Sequence, residues 1–158
     1  GYALAGRGKA LPDYIKRIGV HTFQNLSTTP ELDRIFTDAV RVELQSRGKF
    51  VVVSDATGVD AVLSGSIRSV RADPTAFTDA QQASKYSITV TASAEFKETK
   101  DNKVTWTTSS LRVVDEYDVA GGATGNDLAA LFTQDRNAID RLAKAFARTL
   151  VTQILENF

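Results

Sequence analysis

The chain has 158 residues, a length that suits one compact domain and is short for two. Its 19 basic residues are balanced by 19 acidic ones, so it lacks the cationic excess of a general nucleic-acid binder. No cysteine is present, which excludes thiol catalysis, zinc–thiolate sites, iron–sulfur clusters and disulfides together.

No apolar run approaches the ~20 residues that span a bilayer as a helix. The sequence opens at Gly1 and contains no methionine, so it reads as a mature chain whose signal segment, if it had one, has been removed. Gly1, Gly6, Gly8 and Pro12 make residues 1–16 an irregular N-terminal segment. Arg17 to Phe23 carries Ile18 and Val20 at period two, which predicts a first strand. A helix start follows. Thr28 with Glu31 has the spacing of a capping box, and Thr29-Pro30 equally suits the Ncap and N1 positions. Leu32, Ile35, Phe36, Ala39 and Val40 form one apolar helical stripe, and Gly48 is placed to end it as a C′ glycine.

Phe50-Val51-Val52-Val53 predicts a short strand buried on both faces. Asp55 to Asp60 turns the chain, and Ala61 to Val70 predicts the next strand, with Leu63, Gly65 and Ile67 on one face. Arg71 to Lys85, polar and interrupted by Pro74, reads as a long loop. From Tyr86 to Lys97 the alternation is strict. Tyr86, Ile88, Val90, Ala92, Ala94 and Phe96 share one face, and Ser87, Thr89, Thr91, Ser93, Glu95 and Lys97 the other. Lys100-Asp101-Asn102-Lys103 supplies turn residues, and Val104, Trp106 and Thr108 resume the alternation towards Tyr117, giving a hairpin.

Gly121 to Gly125 reads as loop, with Asn126 or Asp127 capping a last helix. Its stripe comprises Leu128, Leu131, Phe132, Ile139, Leu142, Ala143, Phe146, Leu150 and Ile154. A helix over 127–157 would be about 46 Å long, close to the roughly 40 Å of the Tyr86–Lys97 strand. The expectation is an α+β fold in a single domain over residues 1–158. Its sheet is mostly antiparallel, of four to five strands, with two helices packed on one face.

No catalytic constellation emerges. His21 is the lone histidine and has neither a carboxylate nor a nucleophile at triad spacing. Without a histidine pair or cysteine only oxygen-ligand metals remain, and Asp55, Asp60 and Asp101-Asn102 lack calcium-loop register. Gly6-Arg7-Gly8-Lys9 lacks the preceding strand and following Ser or Thr of a phosphate loop. Gly121–Gly125 precedes a helix but carries no lysine, and Asp127 would repel an anion. Asp115-Glu116 are adjacent in a strand and so point to opposite faces. No catalytic, cofactor-binding or metal residue is assigned, and the chain reads as a binding protein, not an enzyme.

The basic residues show some order. Lys97, Lys100 and Lys103 gather at the hairpin turn, with Arg68, Arg71 and Lys85 expected together at the opposite end. They read either as solubilising edge and turn charges or as a patch that contacts phosphates or an acidic partner.

Several segments together resemble the LptE-type lipopolysaccharide-assembly lipoproteins. They are Gly1-Tyr2-Ala3-Leu4-Ala5-Gly6, Leu11-Pro12, Ile18-Gly19-Val20 with Phe23-Gln24-Asn25, and Asp60-Ala61-Val62-Leu63-Ser64-Gly65. Tyr86 to Val90, the Trp106 strand, Glu116-Tyr117, Leu142-Ala143, Phe146-Ala147 and Ile154 to Phe158 continue it in the same order. His21 departs from the pattern, standing where such sequences often have proline. The resemblance implies that Gly1-Tyr2 follow a lipidated cysteine. It also implies anchoring in the periplasmic leaflet of the Gram-negative outer membrane, a β-barrel partner of the LptD type that the protein plugs and helps assemble, and lipopolysaccharide as ligand. No cofactor is implied. Arg68, Arg71, Lys85, Lys97, Lys100 and Lys103 are the candidate lipopolysaccharide or partner contacts, chosen on charge alone. The alternative is another periplasmic lipoprotein, an adaptor or activator of envelope machinery.

Overall fold

Alternation builds the centre of the molecule. In the computed structural model, which describes residues 10–123 and 136–158, β5 (Ala83–Glu98) buries every even position from Tyr86 to Glu98 and leaves the odd ones half-buried. It lies between β4 (Ala61–Phe77) and β6 (Lys103–Ala123), both antiparallel to it. Three short strands complete the sheet: β1 (Arg17–Val20), β2 (Gln24–Asn25) and β3 (Val51–Val53). The order is β3-β1-β4-β5-β6, and β1 and β2 follow one another along the same edge of β4, both parallel to it. β1 and β3 are also parallel, because the helix between them carries the chain back to the starting end of the sheet.

That helix is α1 (Leu32–Ser46), and α2 (Arg136–Glu156) lies beside it on the apolar sheet face. The predicted stripes do the packing. Leu32, Phe36 and Val40 of α1 meet Leu142, Phe146 and Leu150 of α2 in one core cluster with Phe23, Leu63, Ile67 and Phe96, all essentially inaccessible. The Phe146 ring stands edge-on to Phe23 at 5.9 Å and tilted against Phe36 at 5.1 Å. Polar ties fix the helices' position: Arg47 to Thr152 at 2.7 Å between helices, Arg141 to Asp115 at 3.0 Å from α2 to β6. Asp115 faces the helices while Glu116 faces away near Lys85, the opposition expected of strand neighbours.

The α+β architecture with two helices on one face is as predicted, with six strands in place of four or five among the described residues. Several local expectations are corrected. Residues 71–85 are not a long loop, since β4 runs to Phe77 and β5 begins at Ala83. Pro74 is tolerated because, among the described residues, β4 beyond Ile67 pairs only with β5, so the missing N–H costs no ladder bond on the other side. Val51–Val53 is not buried on both faces but forms the sheet's edge, with Val51 49% exposed. The first strand ends at Val20 and resumes as β2. Gly121 and Gly122 belong to β6.

Neither cap predicted for α1 forms. Glu31, at φ 66°, occupies the N-cap without a side-chain bond, and the turn before it is held by Asn25, which bonds the Thr29 carbonyl at 2.7 Å and accepts from Ser27. Gly48 follows the helix without a left-handed backbone. A side chain there would strike the Phe50 ring, 2.6 Å from the position of a Cβ. At the β5–β6 hairpin the predicted turn is present, with Asn102 at φ 53°. For α2, residues 127–135, with Leu128, Leu131 and Phe132, lie outside the described residues. Arg136–Glu156 is about 32 Å long, and the 16 residues of β5 extend roughly 53 Å. The expected match of lengths rests on residues 127–135 and so lies partly outside the described residues.

Asp60 fastens the two halves of the sheet. Its Oδ2 accepts the backbone N–H of Lys16 at 2.8 Å and of Arg17 at 2.9 Å, joining the start of β1 to the start of β4. Those two bonds hold its carboxyl below the usual aspartate pKa. The native state thus holds fewer protons than the unfolded one. The stabilisation is fully present above the ordinary value of about 3.9 and is lost as pH falls through the lower folded value. Asp60→Asn is expected to lower stability by about 1–2 kcal/mol at neutral pH. Urea unfolding at pH 7 and pH 3 checks this, because the gap from wild type should narrow at pH 3.

Candidate functional site

With α1 and α2 on one side, the other face of β4, β5 and β6 carries no further element among the described residues. On β5 it carries Ser87, Thr89, Thr91, Ser93, Glu95 and Lys97, the polar half of the alternation. The register sets Arg71 of β4 opposite Thr89, Ser69 opposite Thr91, and Arg112 of β6 opposite Thr91 from the other side. Directly paired residues share a face, so Arg71 and Arg112 stand across β5 from each other. They line a shallow depression of about 340 Å³ with Ser69, Thr89 and Thr91. Arg68, exposed at the register shift after Ile67, reaches over β5 to the carbonyl of Ser109 at 3.4 Å and so joins the same face.

Charge is unevenly committed within this group. Arg71 is paired with Asp73 at 3.0 Å, and Arg68 makes one long bond to a carbonyl. Arg112 has no carboxylate within 4 Å among the described residues and is exposed. All three guanidinium groups thus retain free donors above a floor of hydroxyls, since Arg71 commits only its Nε to Asp73 and Arg68 one terminal nitrogen. Such a surface suits oxyanions, which guanidinium binds through paired N–H donors.

The other predicted contacts are placed differently. Lys97 and Lys103 stand at the hairpin end with Lys100 in the turn, as expected. Lys103 is opposite Glu98. Lys100 is spent on packing, its ammonium 4.1 Å from the centre of the Tyr14 ring. The Tyr14 hydroxyl in turn donates to the buried Glu98 at 2.6 Å, and that bond raises its pKa. Lys85 sits at the far end of β5 between Glu116 and Asp118, each at 3.9 Å. Arg68 and Arg71 do not gather with Lys85 at that end. β4 runs on past them, which leaves them mid-sheet. Arg112 was missed because its place beside Arg71 follows from strand register, which no local pattern in the sequence gives. Among the described residues no group of three or more His, Asp or Glu lies close enough to hold a metal ion. No described helix is long and apolar enough to cross a membrane.

The model of the LptE lipopolysaccharide-assembly family matches residues 15–154. The chain belongs to the LptE family. Its role therefore lies in lipopolysaccharide assembly, and the match runs from the residue before Lys16 almost to the end of α2. Comparison with curated proteins finds no match. Solved structures share the fold at low identity. Lipoprotein B from Nitrosomonas europaea has a TM-score of 0.57 and 13% identity, over 98% of this chain and 90% of that one. Rare lipoprotein B from Shewanella oneidensis has 0.55 and 12%, over 86% and 91%. PelC from Paraburkholderia phytofirmans, solved as a dodecamer, has 0.54 and 15%, over 94% and 92%. These likenesses show that the helix-covered sheet is a fold these proteins share.

Proposed function

We propose that this LptE-family chain is a non-enzymatic lipoprotein of the Gram-negative outer membrane, anchored in the periplasmic leaflet. In this reading it inserts into an LptD-type β-barrel, helps it assemble, and offers lipopolysaccharide phosphates a contact on its uncovered sheet face. The observation that carries the reading is the polar face of β4, β5 and β6, with Arg68, Arg71 and Arg112 over a serine and threonine floor. Family membership supports the setting, and the fold shared with two lipoproteins supports the anchor. A barrel lumen is polar and wet, so an insert needs a hydroxyl-rich exterior and a core that closes on itself. Both hold for a sheet whose apolar half is sealed by α1 and α2.

Lipopolysaccharide binding tests the face. Arg71→Gln/Arg112→Gln is expected to weaken it roughly tenfold or more, as loss of charge-assisted bonds requires, with an unchanged melting curve because both side chains are exposed. Lys85→Gln and Lys100→Gln are expected to change affinity less, since Lys85 is matched by acids and Lys100 by Tyr14. Wild-type affinity in the double arginine variant would remove this face from the reading. Insertion is tested by solubilising membranes and asking whether a large barrel purifies with the chain. Depletion separates it from an adaptor role: surface lipopolysaccharide should fall, whereas a wall-synthesis or secretion defect alone would favour the adaptor.

A further inference from the structure

At the edge of the sheet farthest from β6, a groove of about 480 Å³ opens between the segment before β1 and the end of α1. Its floor is apolar: Leu11, Ile15, Phe50 and the exposed Val51. Three cations stand on its rim, Lys16, Arg17 and Lys49, all exposed. Among the described residues none of the three has a carboxylate within 4 Å, whereas Arg47 beside them is paired with Glu43 at 2.6 Å. Asp13 is the one acid lining the groove. An apolar channel under unpaired cations matches an amphiphile with an anionic head. The hydroxyl-floored arginine site is of a different kind, because it offers a ligand no apolar channel.

We propose that this groove docks the chain on an anionic phospholipid bilayer. Lys16, Arg17 and Lys49 take head-group phosphates, and Leu11, Ile15, Phe50 and Val51 receive the first carbons of an acyl chain. The docking surface is separate from the arginine face and does not depend on the role proposed for it. It sets the molecule's orientation, since the groove lies at the β3 edge and β6 lies at the other.

The test is co-sedimentation of the whole chain with vesicles containing about a quarter phosphatidylglycerol in phosphatidylcholine, where each cation contributes roughly fivefold. Wild type is expected to sediment with these vesicles and not with pure phosphatidylcholine. Lys16→Gln/Lys49→Gln should weaken partitioning about thirtyfold, and Val51→Ser should weaken what binding survives high salt. As a measurement free of variants, amide shifts of Leu11, Lys49 and Phe50 should move when phosphatidylglycerol bicelles are added. The proposal is overturned by equal binding to neutral vesicles, by full binding in the lysine variant, or by unmoved shifts at these residues. Loss of vesicle binding in Arg71→Gln/Arg112→Gln with wild-type binding in the lysine variant would equally overturn it, by moving the lipid to the sheet face.

Discussion

Phe146→Ala is expected to cost about 3–5 kcal/mol, the range for emptying an aromatic site in a closed core. Phe146 is completely buried and is the ring through which α2 touches both the sheet side and α1, meeting Phe23 at 5.9 Å and Phe36 at 5.1 Å. Neither neighbour is free to fill the void. Phe23 is held by its own N–H bonding the Thr37 hydroxyl at 2.8 Å, and Phe36 is fixed within a regular helix. That is a large share of the about 5–15 kcal/mol by which a domain is stable. Urea unfolding measures the loss, and a Phe23→Ala/Phe146→Ala cycle should fall short of additivity because the two rings share a contact. A loss below about 1 kcal/mol would mean that the helices repack freely, contrary to a rigid body.

The second large effect is at Gly65→Val. Gly65 pairs with Ala94 on the core face of β4. A Cβ there would collide with the Ser93 carbonyl and approach Phe23 Cε2 to 2.7 Å. Neither obstacle yields cheaply: one is the backbone of the central strand, the other a ring clamped by Phe146. Overpacking of this kind costs about 1–3 kcal/mol for a small addition, so alanine is expected in that range and valine beyond it. Because the clash would push β4 off β5, the variant should also lose hydrogen-exchange protection along the Ala61–Ile67 pairing first. A valine variant with wild-type protection there would show that the sheet accommodates the added atoms.

Much of this protein could be read from period alone. The alternation from Tyr86 to Lys97 assigned every side chain of that strand to its correct face, because a strand between two neighbours has no freedom to turn its dry side outward. The stripes through Phe36 and Phe146 likewise named the helix faces that meet. Lys100 to Lys103 announced the hairpin, and Asn102 supplies the left-handed residue that it needs. Local rules failed where a distant partner decides. Pro74 argues for loop in any window, yet β4 passes through it because β5 pairs with it on one side and nothing requires its N–H on the other. Val51–Val53 has the composition of a central strand and became an edge because α1 returns the chain beside β1 only.

The charged groups divide on the same line. Sequence marked Arg68 and Arg71 as candidates but set them at a strand end, and it passed over Arg112 altogether. Register across β5 brings the three together in mid-sheet, while an acid pair answers Lys85 and a tyrosine ring holds Lys100. Periodicity alone carries the architecture and the dry and wet faces, since each follows from side-chain chemistry repeated at a fixed local period. Which cations are free and which are spent is settled by long-range packing. That depends on strands and turns far apart in the chain arriving at the same few ångströms, a property no local pattern contains.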